Sequence, residues 1–260
     1  MDYWLNKHER AKTAVQHIKD MQTKYQDRIA EVAKNTKIYG VDAEYVSYVS
    51  EASKKETEIS VIDMDSVSAV MEFGGVGSAV LNFASYKNPG GMFTEGSCAQ
   101  EECLCHGSFL YNVLNQFVIG YYDWNRSHKN KALYLNRALY SPGILFYKGG
   151  DSVECDVITC AAPNKRTAMK YQHVTESENT KALRERIEFV LGVAASNHVH
   201  TLILGAFGCG VFGQDAEEVA RIFKEYLNGD YRCFDTVIFA IPDDRSGNYR
   251  AFKRVFGGRN

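Results

Sequence analysis

The sequence lacks an excess of charge of either sign. Its 30 Lys and Arg residues are nearly balanced by 32 Asp and Glu residues, which leaves a formal net charge of -2 at pH 7. This balance argues against a protein that binds nucleic acid through a strongly basic surface. Sequence-specific nucleic acid is therefore not expected among the partners.

Long hydrophobic runs are also missing. No apolar run is long enough to span a bilayer, and the first residues lack the apolar segment of a signal peptide. The seven cysteines are odd in number, which favours reduced thiols over a disulfide framework. These absences predict a cytoplasmic protein without a membrane partner.

A metal site is not indicated either. Cys98, Cys103, Cys105 and His106 lie close together in the sequence, but no second Cys/His pair follows at zinc-ribbon spacing. Residues two apart on a helix do not share a face. We therefore expect these cysteines to be small buried groups, with no metal and no other cofactor.

The chain of 260 residues begins with a pattern typical of one long helix over residues 1–35. An oligomerising coiled coil is one interpretation; an amphipathic helix packed on the following domain is favoured because the heptads are few. Residues 36–56 are polar and predict a loop with a short strand. No linker, repeat or low-complexity tract follows. We predict an N-terminal helical extension, 1–56, on a single core, 57–260.

Short apolar runs alternate with helical patterns through the core, which predicts an α/β sandwich with a mostly parallel or mixed sheet. The predicted strands are Ile59–Met64, Ala79–Phe83, Ile144–Tyr147, Asp156–Ala161, Thr201–Leu204 and Thr236–Ile241. The predicted helices are Ala99–Asn112, Glu178–Ser196, Ala216–Leu227 and Tyr249–Val255.

A glycine-rich loop, Leu204–Gln214, lies between a predicted strand and a predicted helix. Its G-x-G-x-x-G spacing predicts that backbone N–H groups, together with the helix terminus, cradle a diphosphate. A turn that merely permits tight packing is the alternative. Phe212 and Phe207 are each candidates for stacking on a base or ribose. The alternative for each is that its ring packs in the hydrophobic core.

A nicotinamide-binding Rossmann unit uses the same kind of loop. Here the loop comes late in the chain, and the candidate ribose acids Asp230 and Asp235 precede the next strand instead of ending it. The Rossmann interpretation is therefore disfavoured.

A second loop, Asn88–Glu102, joins a glycine turn to the triplet Gln100-Glu101-Glu102 at a predicted helix start. Glycines allow close approach to a ligand, and the helix terminus favours ionised acids. Two neighbouring carboxylates raise the pKa of one of them, as glycosidic cleavage requires. An ordinary capping pair of acids is the alternative.

These loops resemble the bacterial-type poly(ADP-ribose) glycohydrolases, a branch of the macrodomain fold. The family signature is three glycines, six to eight residues, then Gln-Glu-Glu. Here Gly90-Gly91-Met92 is followed by seven residues and the triplet. Further similar segments follow in family order: Leu81–Gly91, Ala99–Cys105, Ala138–Tyr147, Ile158–Asn164, Leu202–Asp215 and Val237–Asp243.

The resemblance implies a three-layer α/β/α macrodomain-like sandwich with a mixed central sheet. It also implies hydrolysis of ribose–ribose O-glycosidic bonds to release ADP-ribose, without a metal. By position, Glu102 matches the general acid/base and Glu101 the neighbour that holds a ribose hydroxyl. The implied ligand-binding residues are Gln100, Asn88, Gly90, Gly91, Gly208, Cys209, Gly210, Val211, Phe212 and Asn164.

One residue departs from the signature, because Met92 replaces its third glycine. Its side chain would narrow the site, favour terminal ADP-ribose, or point into the core. Two alternative functions follow: a non-catalytic ADP-ribose reader, and a hydrolase of mono-ADP-ribose linked to protein. The expected partners are ADP-ribose, poly(ADP-ribose) and ADP-ribosylated proteins.

Overall fold

A seven-stranded mixed sheet forms the centre of the described part of the chain. The structure is a computed structural model that describes residues 6–40 and 56–257. The sheet order is β1-β4-β5-β3-β6-β7-β2, with β4 antiparallel to its neighbours β1 and β5 and the other pairs parallel. The strands are β1 (Lys37–Tyr39), β2 (Glu58–Ile62), β3 (Ser78–Phe83), β4 (Ala138–Lys148), β5 (Asp151–Cys160), β6 (Thr201–Leu204) and β7 (Thr236–Ala240).

Helices cover both faces of this sheet. They are α1 (Lys7–Asn35), α2 (Ser66–Phe73), α3 (Gln100–His106), α4 (Leu110–Leu114), α5 (Asp123–Ser127), α6 (Lys165–Gln172), α7 (Glu176–Ser196), α8 (Ala216–Asn228) and α9 (Asn248–Phe256). Among these described helices, none is long and apolar enough to cross a membrane.

Alternation along the strands creates two separate cores. Leu81 packs with α7, α8 and α9 on one face, whereas the adjacent Val80 packs with α1 to α4 on the other. Strand side chains point alternately to opposite faces, so each strand supplies both cores. The predicted three-layer α/β/α sandwich with a mixed sheet is therefore confirmed.

The N-terminal helix packs its apolar stripe on the domain, as the favoured interpretation of its pattern predicts. It begins after a capping box formed by Asn6 and Glu9, and it buries Ala14, Met21 and Ile29 among other residues. The following strand β1 pairs with β4 at the edge of the same sheet. The division at residue 56 remains a prediction, since residues 41–55 lie outside the described part of the chain.

Three predicted elements differ clearly from the structure, and one of them is β5, which begins at Asp151, five residues before its predicted start. The single helix over Ala99–Asn112 is wrong: α3 ends at His106, because Ser108 forms an isolated bridge to Phe146 of β4. Strand β4 is longer than predicted, because the Pro142-Gly143 pair forms a bulge within the strand instead of ending it.

A buried arginine ties α7 to the cleft side of the sheet. Arg186 is 1% exposed and donates to the Asn136 side chain and to the carbonyls of Ala161 and Leu133. A buried charge is tolerated only when its donors are paired, so Arg186 fixes these segments relative to each other.

We predict that Arg186→Met lowers the free energy of unfolding by about 3 kcal/mol, because it leaves buried carbonyls without donors. Urea denaturation measures the change. Arg184→Met is the matched control on the same helix, since Arg184 forms a surface pair with Glu225 at 2.7 Å. The control is expected to cost less than about 1 kcal/mol. Equal costs for the two variants would contradict the role of Arg186.

Candidate active site

A cleft of about 390 Å³ lies at the carboxyl ends of the parallel strands β3 and β6. The loops that follow these neighbouring strands form its walls, as is usual for ligand sites of α/β sheets. The predicted site residues that line the cleft are Asn88, Gly91, Gln100, Glu101, Glu102, Asn164, Gly208, Gly210, Val211 and Phe212. The structure therefore brings together the two loops that the sequence singles out.

Two buried carboxylates form one wall of the cleft. Glu101 is 3% exposed, and it accepts hydrogen bonds from the Ser85 backbone N–H at 2.7 Å and from the Asn82 amide at 3.3 Å. Glu102 is 5% exposed and accepts from the backbone N–H groups of Met92 at 2.9 Å and Ala99 at 3.0 Å. Each carboxylate is thus held in one orientation by donors on the surrounding loops.

Both carboxylates reach the same glycine. A Cβ atom at Gly91 would lie 2.6 Å from Oε1 of Glu102 and 2.9 Å from Oε2 of Glu101. Gly91 also has a φ of +63°, which side chains rarely adopt. Glycine is therefore required here for two reasons, and the two acids are close neighbours although they leave the helix in different directions.

Burial raises the pKa of Glu101, one member of this pair. Desolvation, reinforced by the nearby Glu102 carboxylate, raises the pKa of Glu101 from 4.5 to about 8. Backbone N–H groups of Ser85 and Gly90 oppose this rise in pKa without cancelling it. Glu101 therefore retains a proton at neutral pH. The sequence predicts a raised pKa for one of the two adjacent acids. In the structure that acid is Glu101, and burial is the largest cause of the rise.

Gln100 has a role that the sequence did not indicate. Its side chain accepts from the Phe83 N–H at 2.8 Å and donates to the Leu81 carbonyl at 2.8 Å. These bonds fasten the start of α3 to the end of β3. Gln100 lines the cleft, but its amide is occupied in positioning the two glutamates beside it.

The glycine-rich loop reaches the cleft through Ala206–Phe212. Gly208 has a φ of +78°, and a Cβ atom added to it would lie only 2.7 Å from the Cβ of Ala162. A Cβ at Gly210 would meet nothing within 4 Å, so that residue faces open space. Val211 is 73% exposed beside it. The start of α8, which Asp215 caps, does not line the cleft, contrary to the predicted role of that helix terminus.

Two of the predicted ligand residues do not line the cleft, and the side chain of Phe207, which borders it, is buried. Gly90 faces Tyr111, and Cys209 is turned from the cleft, where burial raises the pKa of its thiol to about 12. Phe207 is fully buried in the core, with its ring 5.8 Å from that of Phe83. Phe212 is only partly buried. Of the two aromatics, Phe212 is the one left to contact a ligand.

The backbone conformation at position 92 does not require glycine. Met92 has a φ of -112°, and its side chain is 41% exposed at the edge of the cleft. The alternative in which this side chain points into the core is therefore wrong. The methionine lines the cleft beside Glu102 with an unstrained backbone.

A group of aromatic rings that no sequence motif indicates also lines the cleft. Tyr86 and Tyr134 stack with centroids 4.1 Å apart, and Phe212 meets the Tyr134 ring edge-on at 6.1 Å. Tyr134 has a positive φ, as do Asn130, Lys131 and Ala132 just before it. No spacing pattern marks this segment, because irregular backbone held by tertiary contacts has no period.

Within residues 6–40 and 56–257, no group of three or more Cys, His, Asp or Glu side chains lies close enough to hold a metal ion. The chemical groups of the cleft are carboxylates, backbone donors and aromatic rings. Such groups suit a sugar joined to a diphosphate and a base.

Comparison with known proteins identifies the family. The model for the catalytic domain of microbial-type poly(ADP-ribose) glycohydrolase (PARG) matches residues 9–149. This chain belongs to that family. No curated protein matches the chain.

Solved PARG structures share its fold. The PARG of Thermomonospora curvata is 29% identical, with a TM-score of 0.87 over 96% of this chain and 100% of that one. The Deinococcus radiodurans PARG in complex with ADP-ribose is 32% identical, with a TM-score of 0.81 over 88% and 97%. The Thermomonospora PARG bound to the inhibitor ADP-HPD is 28% identical, with a TM-score of 0.84 over 95% and 99%. The predicted macrodomain-like fold is confirmed.

The raised pKa of Glu101 makes a prediction about stability. The native protein holds a proton between pH 4.5 and about 8 that the unfolded chain has released. Its free energy of unfolding therefore falls as the pH rises through this window. Glu101→Gln removes that loss, so it should stabilise the protein by roughly 3 kcal/mol more at about pH 8.5 than at about pH 5.

Urea denaturation of both proteins at the two pH values measures this difference. Glu95→Gln, an exposed acid on the same loop, controls for the change in net charge. A pH dependence that is the same in wild type and Glu101→Gln would show that Glu101 is not protonated in the native protein.

Proposed function

We propose that this chain hydrolyses the ribose–ribose O-glycosidic bonds of poly(ADP-ribose) and releases ADP-ribose, with Glu102 as the general acid and base. The observation that carries the proposal is the pair of buried carboxylates at Gly91, in a cleft whose opposite wall is the Gly208–Phe212 loop. Membership of a family of poly(ADP-ribose) glycohydrolases gives the substrate class.

The protonation state of the two carboxylates suits this reaction. Glycosidic cleavage needs one acid that protonates the leaving oxygen and then accepts a proton from water. A pair that keeps one proton at neutral pH can supply it at the cleft wall. The proton of the pair passes through Glu102 to the leaving oxygen, and the attacking water returns one proton to Glu102, whose two oxygens the N–H groups of Met92 and Ala99 hold in place. No resident metal takes part in this proposal.

The remaining wall determines how the ligand lies. The open space at Gly210 allows a diphosphate to approach the loop backbone, and Phe212, supported by Tyr134, offers a ring to the adenosine or distal ribose. Asn88 lines the cleft, and we expect it to contact the distal ribose. The oxocarbenium-like ribose of the transition state is then stabilised by the diphosphate and the carboxylates.

Glu102→Gln tests the catalytic assignment. The amide cannot donate and accept a proton in turn, so release of ADP-ribose from labelled poly(ADP-ribose) should fall by about 100-fold or more. The matched control is Glu72→Gln, a change of the same kind on an exposed residue of α2 outside the cleft, and its rate should equal that of wild type.

Other results would favour the alternatives. ADP-ribose binding by the wild type without product from any ADP-ribosylated substrate would identify a reader. Cleavage of protein-linked mono-ADP-ribose alone would identify the third function. Full activity of Glu102→Gln would transfer the acid role to another residue.

Gly210→Ala tests the diphosphate wall. The loop backbone at Gly210 is unstrained and its surroundings are empty, so the methyl group should leave the melting temperature unchanged. It should weaken ADP-ribose binding by about tenfold, because the methyl group occupies the space of the ligand. Titration calorimetry measures this change. Gly40→Ala, at an unstrained glycine outside the cleft, is the control, and affinity equal in both variants would remove Gly210 from the site.

A further inference from the structure

The loop that holds Glu102 has a second contact surface on its outer side. The positioning loop, Met92–Ala99, places one N–H donor at each end, and the two donors bind the two oxygens of Glu102. The shape of this loop therefore sets the position of the carboxylate. Whatever fixes the middle of the loop acts on Glu102 through it.

The middle of the loop rests on the N-terminal helix, which is remote in the sequence. The side chain of Arg10 donates from Nε to the Gly96 carbonyl at 2.8 Å. Gly96 has a φ of +79°, and a Cβ there would lie only 2.0 Å from the Lys7 carbonyl in the first turn of α1. The backbone of the loop and the backbone of the helix are thus in direct contact, and only glycine permits it.

A buried aromatic residue makes a second contact between the loop and α1. Phe93, at the start of the loop, is 1% exposed. Its ring contacts both His17 of α1, with centroids 6.0 Å apart, and His106 of α3, at 4.5 Å, and the two histidines are themselves 5.9 Å apart. His17 also bonds the Ser108 carbonyl at 2.9 Å, just beyond α3. Helix α1 therefore contacts both the positioning loop and α3, the helix that carries Glu102.

From these contacts we infer that the first turns of α1 act in catalysis, with Arg10 as a positioning residue that holds Glu102 through the loop. The inference rests on the proposed glycohydrolase function. Arg10 touches no reacting atom. Because a displacement of about 1 Å in a catalytic group costs about 100-fold in rate, a loosened loop should lower the rate of the chemical step. The diphosphate wall lies on other elements, so ligand binding should be spared.

Arg10→Gln, Arg10→Lys and Arg28→Gln test this inference in the full chain with labelled poly(ADP-ribose). Arg28 is the matched control, since it lies on the same helix but pairs with Glu154 and Glu31. We expect Arg10→Gln to lower kcat by about 10- to 100-fold, with KM and ADP-ribose affinity within about twofold of wild type. Arg10→Lys, which can still donate to the carbonyl, should recover part of kcat, and Arg28→Gln should match wild type.

Two results would overturn the inference. One is a kcat for Arg10→Gln equal to that of wild type. The other is a joint loss of kcat, ADP-ribose affinity and melting temperature, which a purely structural role would produce. A wild-type protein that releases no ADP-ribose would overturn the proposed function itself. That outcome is distinguishable from the two results above, which concern Arg10→Gln in an active enzyme.

A double variant adds a test of the contact. Gly96→Ala pushes the loop off α1, so the Arg10 bond is already broken in it. Adding Arg10→Gln to Gly96→Ala should lower kcat little further, whereas two independent sites would give additive losses. Full additivity of the two changes would show that Arg10 does not act through this contact.

Discussion

The structure depends on the burial of two carboxylates around one glycine. Glu101 and Glu102 both reach Gly91, which has neither the side chain nor the φ of an ordinary residue. Such a pair is stable only if donors surround it and one proton remains on it. The loop N–H groups supply the donors, and burial of Glu101 retains the proton.

This requirement explains much of the surrounding fold. The amide of Gln100 fastens α3 to the end of β3, which brings the acids to the edge of the sheet. Parallel pairing of β3 with β6 places the Gly208–Phe212 loop opposite them. Helix α1 then closes the outer side of the positioning loop. The N-terminal helix is therefore part of the site's support, as well as a cover for the hydrophobic core.

How far the sequence predicts this molecule depends on the kind of contact. Periodicity located Thr201–Leu204 to the residue and α7 to within two residues, because these elements bury regular apolar patterns. It missed α6, whose side chains are mainly polar and exposed, and it joined α3 to α4 across the Ser108 bridge. The aromatic support at Tyr86 and Tyr134 was also missed, since a stack between distant residues leaves no local signal.

The sequence by itself determined the α/β class, the two glycine loops and the acids beside them, because repeating polarity and glycine spacing are local properties. Only the tertiary structure decided that burial raises the pKa of Glu101, that Gly210 faces the cleft while Gly90 and Cys209 do not, and that Arg10 contacts Gly96. Desolvation and close approach depend on which distant segments pack together. Those distances exist only after the chain has folded.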